Sequence, residues 1–342
     1  MSPKNISPSS EGKLYAAIDI GSGNLRLRIY RPNGDGLLHN LGNFRIDAHL
    51  AEGISPEKPK ISRDNLNIAV QTLHAFNDTL SAFNIRPENV CAVMTAAIRA
   101  VENTDQGQQD IQTLAEAYGR DRWFIASEEE EARLVALAAT MSCPRELRQF
   151  DGKTKDMAFA AIGGGSVELG IVAADDSVKN PVALPYGVHP LLEQFGSKHA
   201  QSGKIIDKAL QKHFANTHCD ILAAGGGNWR VVGSTVGDVH LPPTLGKKGF
   251  ERLKDAARKK ESFFRAQGGE IAERAKFVPV SAAALWRIAR HFHVKRIVFF
   301  EATMADAIAQ QLYLLDSGQT TRPAQGLERL YGHSAPEPAL PV

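Results

Sequence analysis

Met157-Ala158-Phe159-Ala160-Ala161-Ile162 runs into Gly163-Gly164-Gly165-Ser166 and out again through Val167-Glu168-Leu169-Gly170-Ile171-Val172-Ala173. A short apolar run closed by glycines and answered by a second apolar run reads as strand, tight turn and returning strand. The same grammar occurs near the start of the chain. Leu14 to Ile20 is apolar apart from Asp19, Gly21-Ser22-Gly23-Asn24 is the turn, and Leu25-Arg26-Leu27-Arg28-Ile29-Tyr30 alternates as a half-buried strand does. The two turns lie 142 residues apart, with Asp19 in one at the place of Ala161 in the other. That spacing is a weak internal repeat at domain scale. It predicts two similar α/β lobes, each offering a glycine-rich hairpin to a shared cleft.

Working outward, the first half holds strand-like material from Leu37 to Leu50 and a helix over Asp64–Phe83. Leu66, Ala69, Val70, Leu73, Phe76 and Leu80 form that helix's apolar face. A buried strand follows at Val90–Thr95, then a helix at Gln108–Tyr118, a strand at Trp123–Ile125 and a helix at Glu128–Met141 that Cys143-Pro144 stops. The last of these puts Leu134, Leu137, Ala138 and Met141 on one face. In the second half the pattern predicts a third strand over Val182–Leu192 and a strand at Asp220–Ala224. Helices follow at Lys247–Gln267 and Ser281–Phe292, then a strand at Arg296–Phe300 and a helix at Thr303–Leu315. The expected organisation is a disordered tail at 1–12, a first lobe at 13–148, a second at 149–315 and a loose tail at 316–342.

A chain of 342 residues is long for one domain and suits two. With 43% hydrophobic and 23% charged residues, it is neither collagen-like, nor wholly disordered, nor membrane-embedded. A net charge of +2 excludes a dedicated nucleic-acid binder. Cys91, Cys143 and Cys219 are odd in number and far apart, which suits a reducing cytoplasm. No apolar run reaches the ~18 residues of a bilayer span, and Met1–Gly12 lacks the apolar core of a signal peptide.

Glycine in a turn lets backbone N–H groups approach an anion closely and permits positive φ. Two such turns facing one cleft suit a phosphate chain; each alone reads equally well as a tight hairpin. No Gly-x4-Gly-Lys-Ser/Thr sequence is present. Gly225-Gly226-Gly227-Asn228, ahead of Trp229-Arg230, fits a phosphate cradle at a helix start or an ordinary strand–helix turn. In Ser127-Glu128-Glu129-Glu130-Glu131, Ser127 and Glu130 have the spacing of a capping box, and glutamates suit a first helical turn. Glu131 lies one residue beyond the box; a carboxylate there can orient or deprotonate a water. Glu168, just after the second glycine turn, and Asp19, at the equivalent strand end before the first, are candidate Mg²⁺ carboxylates or strand-end groups paired to backbone. Arg99 is a candidate phosphate clamp or a structural ion-pair partner. The basic stretch from Lys247-Lys248 to Lys259-Lys260 reads as a solvated face that can also steer a polyanion. His291 and His293 have no metal-ligand partner at suitable spacing and read as structural.

Taken in order, these segments resemble the exopolyphosphatase/guanosine pentaphosphate phosphohydrolase (Ppx/GppA) family. The matching pieces are Ala17–Asn24, Thr95–Ala100, Ile125–Leu134, Ile162–Leu169, Leu184–Val188 and Ala224–Arg230. They span roughly Leu14 to Leu315, and it is the joint match that is specific. The resemblance implies a two-lobed actin/Hsp70/sugar-kinase-like (ribonuclease H-like) fold with a mixed sheet and helices in each lobe, in the short two-domain form. It implies Mg²⁺-dependent, cytoplasmic hydrolysis of phosphoanhydrides: release of terminal orthophosphate from inorganic polyphosphate, or of the terminal phosphate of guanosine pentaphosphate. Glu131 resembles the family's water-activating glutamate, and because the acid run is one residue longer than usual, Glu130 is the fallback for that role. Gly21, Ser22, Gly23 and Asn24, with Gly163, Gly164, Gly165 and Ser166, resemble the phosphate loops, and Arg99 the arginine of the threonine-containing segment. Asp19 and Glu168 are the implied metal carboxylates. Polyphosphate or a guanosine penta- or tetraphosphate is the implied partner, with no DNA and no membrane; a homodimer is compatible.

The sequence also departs from the family. Ala161 stands where an aspartate metal ligand is usual, and a methyl group coordinates nothing. Asp156 is five residues back on the same strand, about 16 Å away at strand rise. The first turn reads Gly23-Asn24 where Asn-Ser is commoner, Lys276 follows Arg274 where an acid is frequent, and Phe299–Asp306 lacks a Gly-Arg-Glu-Gly pattern. Three readings stand at this stage: an active exopolyphosphatase-type hydrolase, a catalytically impaired relative that binds polyphosphate or an alarmone, and a sugar or acetate kinase of the same superfamily. The Glu131-Ala132-Arg133 helix disfavours the third.

Overall fold

The computed structural model describes residues 12–33, 36–55, 57–150, 152–196, 199–236 and 244–320. The tails expected at 1–12 and 316–342 lie almost wholly outside these residues. In chain order the strands are β1 (Tyr15–Ile20), β2 (Asn24–Pro32), β3 (Leu38–Asp47), β4 (Val90–Met94) and β5 (Trp123–Ile125), with helices α1 (Arg63–Ala82), α2 (Ala96–Arg99), α3 (Asp105–Tyr118) and α4 (Glu128–Ser142). A small hairpin, β6 (Gln149–Phe150) and β7 (Lys153–Thr154), leads to β8 (Met157–Ile162), β9 (Val167–Val172) and β10 (Val178–Leu184). Then come α5 (Val188–Phe195), α6 (His199–Phe214), β11 (Ile221–Gly225), α7 (Gly227–Val236), β12 (Thr244–Leu245) and α8 (Lys247–Ala256). The chain ends with α9 (Glu261–Arg265), α10 (Gly269–Glu273), α11 (Val278–His291), β13 (Arg296–Phe299) and α12 (Met304–Asp316).

The internal repeat is visible in the sheets. The first runs β3-β2-β1-β4-β5; the second runs β10-β9-β8-β11-β13, with the two-residue β12 added at its edge. In each, the strand before the glycine turn is antiparallel to its hairpin partner and parallel to the next central strand. Asp19 thus stands between Arg26 and Val93, and Ala161 between Glu168 and Gly225. The fold class is the one the resemblance implies: two actin-like α/β units.

Each unit has its own core. In the first, Ile18, Ile20, Leu25, Leu27 and Ile29 meet Ala69, Leu73, Phe76 and Leu80 of α1 and Ile111, Leu114 and Tyr118 of α3. Complete burial of such side chains is worth about 1.5–3 kcal/mol apiece. Side-chain caps fix where both helices begin, Ser62 Oγ accepting from the Asn65 N–H and Thr104 Oγ1 from the Gly107 N–H. In the second, Ala158, Ala160, Leu169 and Ile171 join Trp229 of α7 and Leu285 and Ile288 of α11. The indole N–H of Trp229 donates to the Ser281 carbonyl at 2.9 Å, so the largest core side chain is satisfied. Cys91, Cys143 and Cys219 are free and buried. Among the described residues no helix is long and apolar enough to cross a membrane.

The structure departs from the sequence pattern in several places. Val182–Leu192 is not one strand: β10 ends at Leu184 and α5 starts at Val188. The stretch Lys247–Gln267 is two helices, and the side chains of Lys247 and Lys248 lie outside the described residues. In α4, Met141 is exposed while Val135, Ala136 and Ala139 join Leu134 and Ala138 in the interior, so that helix is buried nearly all round. Nor do the compact units follow the 148/149 division. One comprises the described residues up to Glu130 together with 304–320; the other is Glu131–Thr303. Helix α12 returns to the first sheet because its polar partners are there. Asp316 accepts from Lys13 Nζ at 2.8 Å, Asp306 pairs with Arg28, and Gln310 Oε1 accepts from the Leu38 N–H at 3.2 Å.

Candidate functional site

In the second unit, the amides at the start of α5 take the carbonyls of the glycine turn. The N–H groups of Gly187, Val188 and His189 donate to the oxygens of Gly165, Gly163 and Gly164 at 3.1, 3.1 and 2.9 Å. In a trans peptide, C=O and the following N–H point to opposite sides. Three carbonyls turned toward α5 therefore turn the N–H groups of Gly164, Gly165 and Ser166 the other way. Gly163 N–H closes the hairpin on Ser166 O at 2.9 Å. The approach of α5 is so close that a Cβ on Gly187 would lie 2.5 Å from Gly164 O and Ser166 N.

The first unit reaches the same result with different parts. Gly21 N–H closes its turn on Asn24 O at 3.0 Å. Ser22 O accepts from Ala51 N–H, and Gly23 O from the N–H groups of Ala48 and His49. The amides of Gly23 and Asn24 are turned away in consequence. Among the described residues, no hydrogen bond engages the N–H groups of Gly23, Gly164 or Gly165. None of Gly21, Gly23, Gly163 and Gly164 has a left-handed φ, so the turns do not need glycine for that reason. At Gly23 a Cβ would meet nothing within 4 Å. There is open space beside Gly23, and successive amides turned out of a backbone turn are the arrangement that can take an anion.

Asn24 is less open than its place in the loop suggests, because its Oδ1 accepts from Arg26 Nε at 2.8 Å. Ser166 Oγ donates to Glu168 Oε1, so this hydroxyl orients a carboxylate. Arg99, the last residue of α2, donates from Nη1 to the Ala126 carbonyl at 2.6 Å. Ala126 N–H in turn donates to Met94 O at 2.9 Å, tying the lead into α4 to the end of β4. At the start of α4 the capping box is complete: Ser127 N–H donates to Glu130 Oε2 at 2.8 Å and Glu130 N–H to Ser127 Oγ at 3.2 Å. Glu130 is thereby accounted for as a cap. Glu131 takes no part in it and is only 5% exposed.

Asp19 Oδ1 is buried and has no hydrogen-bond partner among the described residues. Burial pushes its carboxyl pKa up, against the pull of Arg26 and Arg28. A buried carboxylate oxygen without a donor fits a cation, and Mg²⁺ needs only one or two protein carboxylates when substrate phosphates and waters complete its shell. Glu168 is also buried, 5% exposed, and differs in accepting from Ser166 Oγ. Ala161, across the hairpin from Glu168 and 8% exposed, presents a methyl group at the position equivalent to Asp19. Asp156 does not substitute for it: its Oδ1 accepts from the Ala174 N–H at 2.9 Å at the other end of β8. Among the described residues no three His, Cys, Asp or Glu side chains cluster as a ready metal cage.

The third glycine run has a structural explanation. Gly226 has φ 94° and a Cβ on it would come 2.5 Å from Ile162 O; a Cβ on Gly225 would collide with Phe300. Gly227 opens α7, so this run is a strand–helix turn at a helix start. Arg274 lies over it, with Nη1 donating to Asn228 Oδ1 at 3.2 Å. His291 Nε2 lies 3.0 Å from the Phe214 carbonyl, in a structural contact. Sequence reasoning passed over His189, whose ring lies along Gly164 and packs edge-on against Phe277 at 5.2 Å between centroids. The available signal was its place two residues after Gly187.

The model of the Ppx/GppA phosphatase family matches residues 29–261. The chain belongs to that family. A structure of an exopolyphosphatase from Cytophaga hutchinsonii superposes with a TM-score of 0.73 at 19% identity, over 90% of this chain and 98% of that one. A Ppx/GppA family member from Aquifex aeolicus gives a TM-score of 0.71 at 19% identity, over 89% and 98% of the two chains. At such identity these likenesses establish the shared fold, and membership in a phosphatase family rests on the family model.

Proposed function

We propose that this Ppx/GppA family protein removes terminal orthophosphate from inorganic polyphosphate, or the terminal phosphate from a guanosine pentaphosphate, by attack of an activated water. The observation that supports this reading is that, within each unit, backbone amides engage the carbonyls of the glycine turn and so turn the N–H groups of Gly23, Gly164 and Gly165 away, where they are suited to phosphate oxygens. Glu131, buried and outside the capping box, is the base. It takes a proton from water as the water oxygen bonds to the terminal phosphorus, while the bond from that phosphorus to the bridging oxygen breaks and the shortened chain leaves. Arg99 supports the site, tied to the backbone just ahead of α4. Mg²⁺, when bound, would neutralise phosphate charge; Asp19 in the first unit and Glu168 in the second are each a carboxylate suited to it. A guanosine tetraphosphate is a product-like ligand of the same chemistry.

One observation favours a second reading, binding without turnover: Ala161 removes a carboxylate from the position across from Glu168. Orthophosphate release from long-chain polyphosphate with Mg²⁺ separates the two. Turnover by the wild type, abolished in Glu131→Gln, supports hydrolysis. Polyphosphate binding without release, with activity appearing in Ala161→Asp, supports the binding role. Neither binding nor release of either substrate by the wild type would overturn both.

A further inference from the structure

His218 and His293 are 75 residues apart in sequence, yet their Nδ1 atoms face each other at 3.0 Å. His218 lies in the connection between α6 and β11, and His293 between α11 and β13. Both side chains are exposed. One residue inward, Cys219 N–H donates to the Phe292 carbonyl at 2.9 Å, stapling the two connections together. Just beyond, the N–H groups of Lys295 and Arg296 both donate to Asp220 O, at 2.8 and 3.1 Å. His293 is itself held at φ 55°, a left-handed conformation uncommon for any residue but glycine. The pair is therefore positioned by its backbone before any ligand arrives.

The ring geometry is compatible with a bent hydrogen bond and with a shared ion. In a straight N–H···N hydrogen bond of this length the ring centroids would be about 5.3 Å apart. If both lone pairs converge on one ion at about 2.0–2.1 Å, the same nitrogen separation places them about 4.7 Å apart. The observed centroid separation is 4.6 Å.

We propose that His218 and His293 form a two-nitrogen chelate for a borderline divalent metal ion of the Zn²⁺, Ni²⁺ or Cu²⁺ class, with water completing its coordination. Imidazole nitrogens suit these ions and not Mg²⁺, which demands oxygen. The site is separate from the glycine turn of its unit. β8, β11 and β13 are parallel, the turn follows the C-terminal end of β8, and the histidines precede the N-terminal ends of β11 and β13. The strand length alone puts about 20 Å between them. A bound ion would brace the entries to two central strands.

The test is calorimetric titration of the chelator-treated, tag-free full chain with ZnCl₂ in a large excess of Mg²⁺, with melting followed in parallel. One saturable site per chain is expected, with a rise in Tm on saturation. His218→Ala and His293→Ala should each weaken the site at least tenfold and remove the rise in Tm, while His39→Ala, an exposed histidine on β3, should leave both unchanged. Absence of saturable Zn²⁺ binding, or binding that survives both substitutions, would overturn the proposal.

Discussion

Replacing Glu130 by alanine removes one half of the reciprocal cap with Ser127 and leaves the carboxylate of Glu131 in place. Loss of such a cap costs about 1 kcal/mol. Glu130→Ala should therefore lower the urea midpoint while retaining most phosphate release. Glu131→Gln, which keeps the shape of a buried side chain, should unfold near the wild-type midpoint and lose release by about 10²-fold or more. Reversed outcomes would exchange the two glutamates' roles. Asp19 poses the opposite balance. Burial raises its carboxyl pKa, so the ionised form is disfavoured in the fold. The sign follows: at neutral pH the charge costs stability, and the cost disappears as pH falls through the raised pKa. Asp19→Asn removes the charge and should raise the stability of the metal-free protein at pH 7, a gain that fades toward pH 3, while the proposed phosphate release is lost. A fall in midpoint at pH 7 would show that the carboxylate is stabilising as it stands.

At the scale of elements, two glycine substitutions separate packing from the proposed phosphate role of the turns. Gly187→Ala places a methyl group 2.5 Å from loop backbone, which cannot yield as a flexible side chain would. α5 must retreat, the three carbonyl contacts lengthen, and the KM for polyphosphate should rise at least tenfold with a loss of about 1–3 kcal/mol in stability. Gly23→Ala meets nothing within 4 Å in the protein and needs no left-handed φ. Its stability should stay within about 0.5 kcal/mol of wild type, and any rise in KM then reports the phosphate itself. The strands on either side of both turns were legible in the sequence because apolar runs closed by glycine leave few alternatives. The capping box was legible for the same reason, since its chemistry is local. The helical character of Val188–Phe195 was not. Val182–Leu192 is apolar enough for either state, and the choice is made by amides that donate to carbonyls more than twenty residues upstream. The third glycine run was ambiguous in sequence until Ile162 and Phe300 supplied the steric reason for it.

Across the whole molecule, periodicity revealed that Thr303–Leu315 is helical but not which sheet it covers. That is decided by Arg28, Lys13 and Tyr15, some three hundred residues earlier, through Asp306 and Asp316. Asp306→Ala should show where the helix belongs. It takes from Arg28, whose side chain is 14% exposed, its ion-pair partner. Breaking a fully buried pair costs about 3–5 kcal/mol; partial exposure of both partners reduces the expected loss to about 2–3 kcal/mol. Arg28→Met combined with Asp306→Leu leaves no orphaned charge and should recover more than half of it. Native-state hydrogen exchange locates the effect. With α12 packed on the first sheet, amides of β1, β2 and β4 should exchange faster in Asp306→Ala, and those of β8, β9 and β11 should keep their wild-type rates. Were the last helix part of a continuous second domain beginning near residue 149, the acceleration would fall on β8, β9 and β11 instead. The same measurement on a chain ending at Thr303 should show protection lost throughout the first sheet while the second retains it, because residues 304–320 complete the first unit.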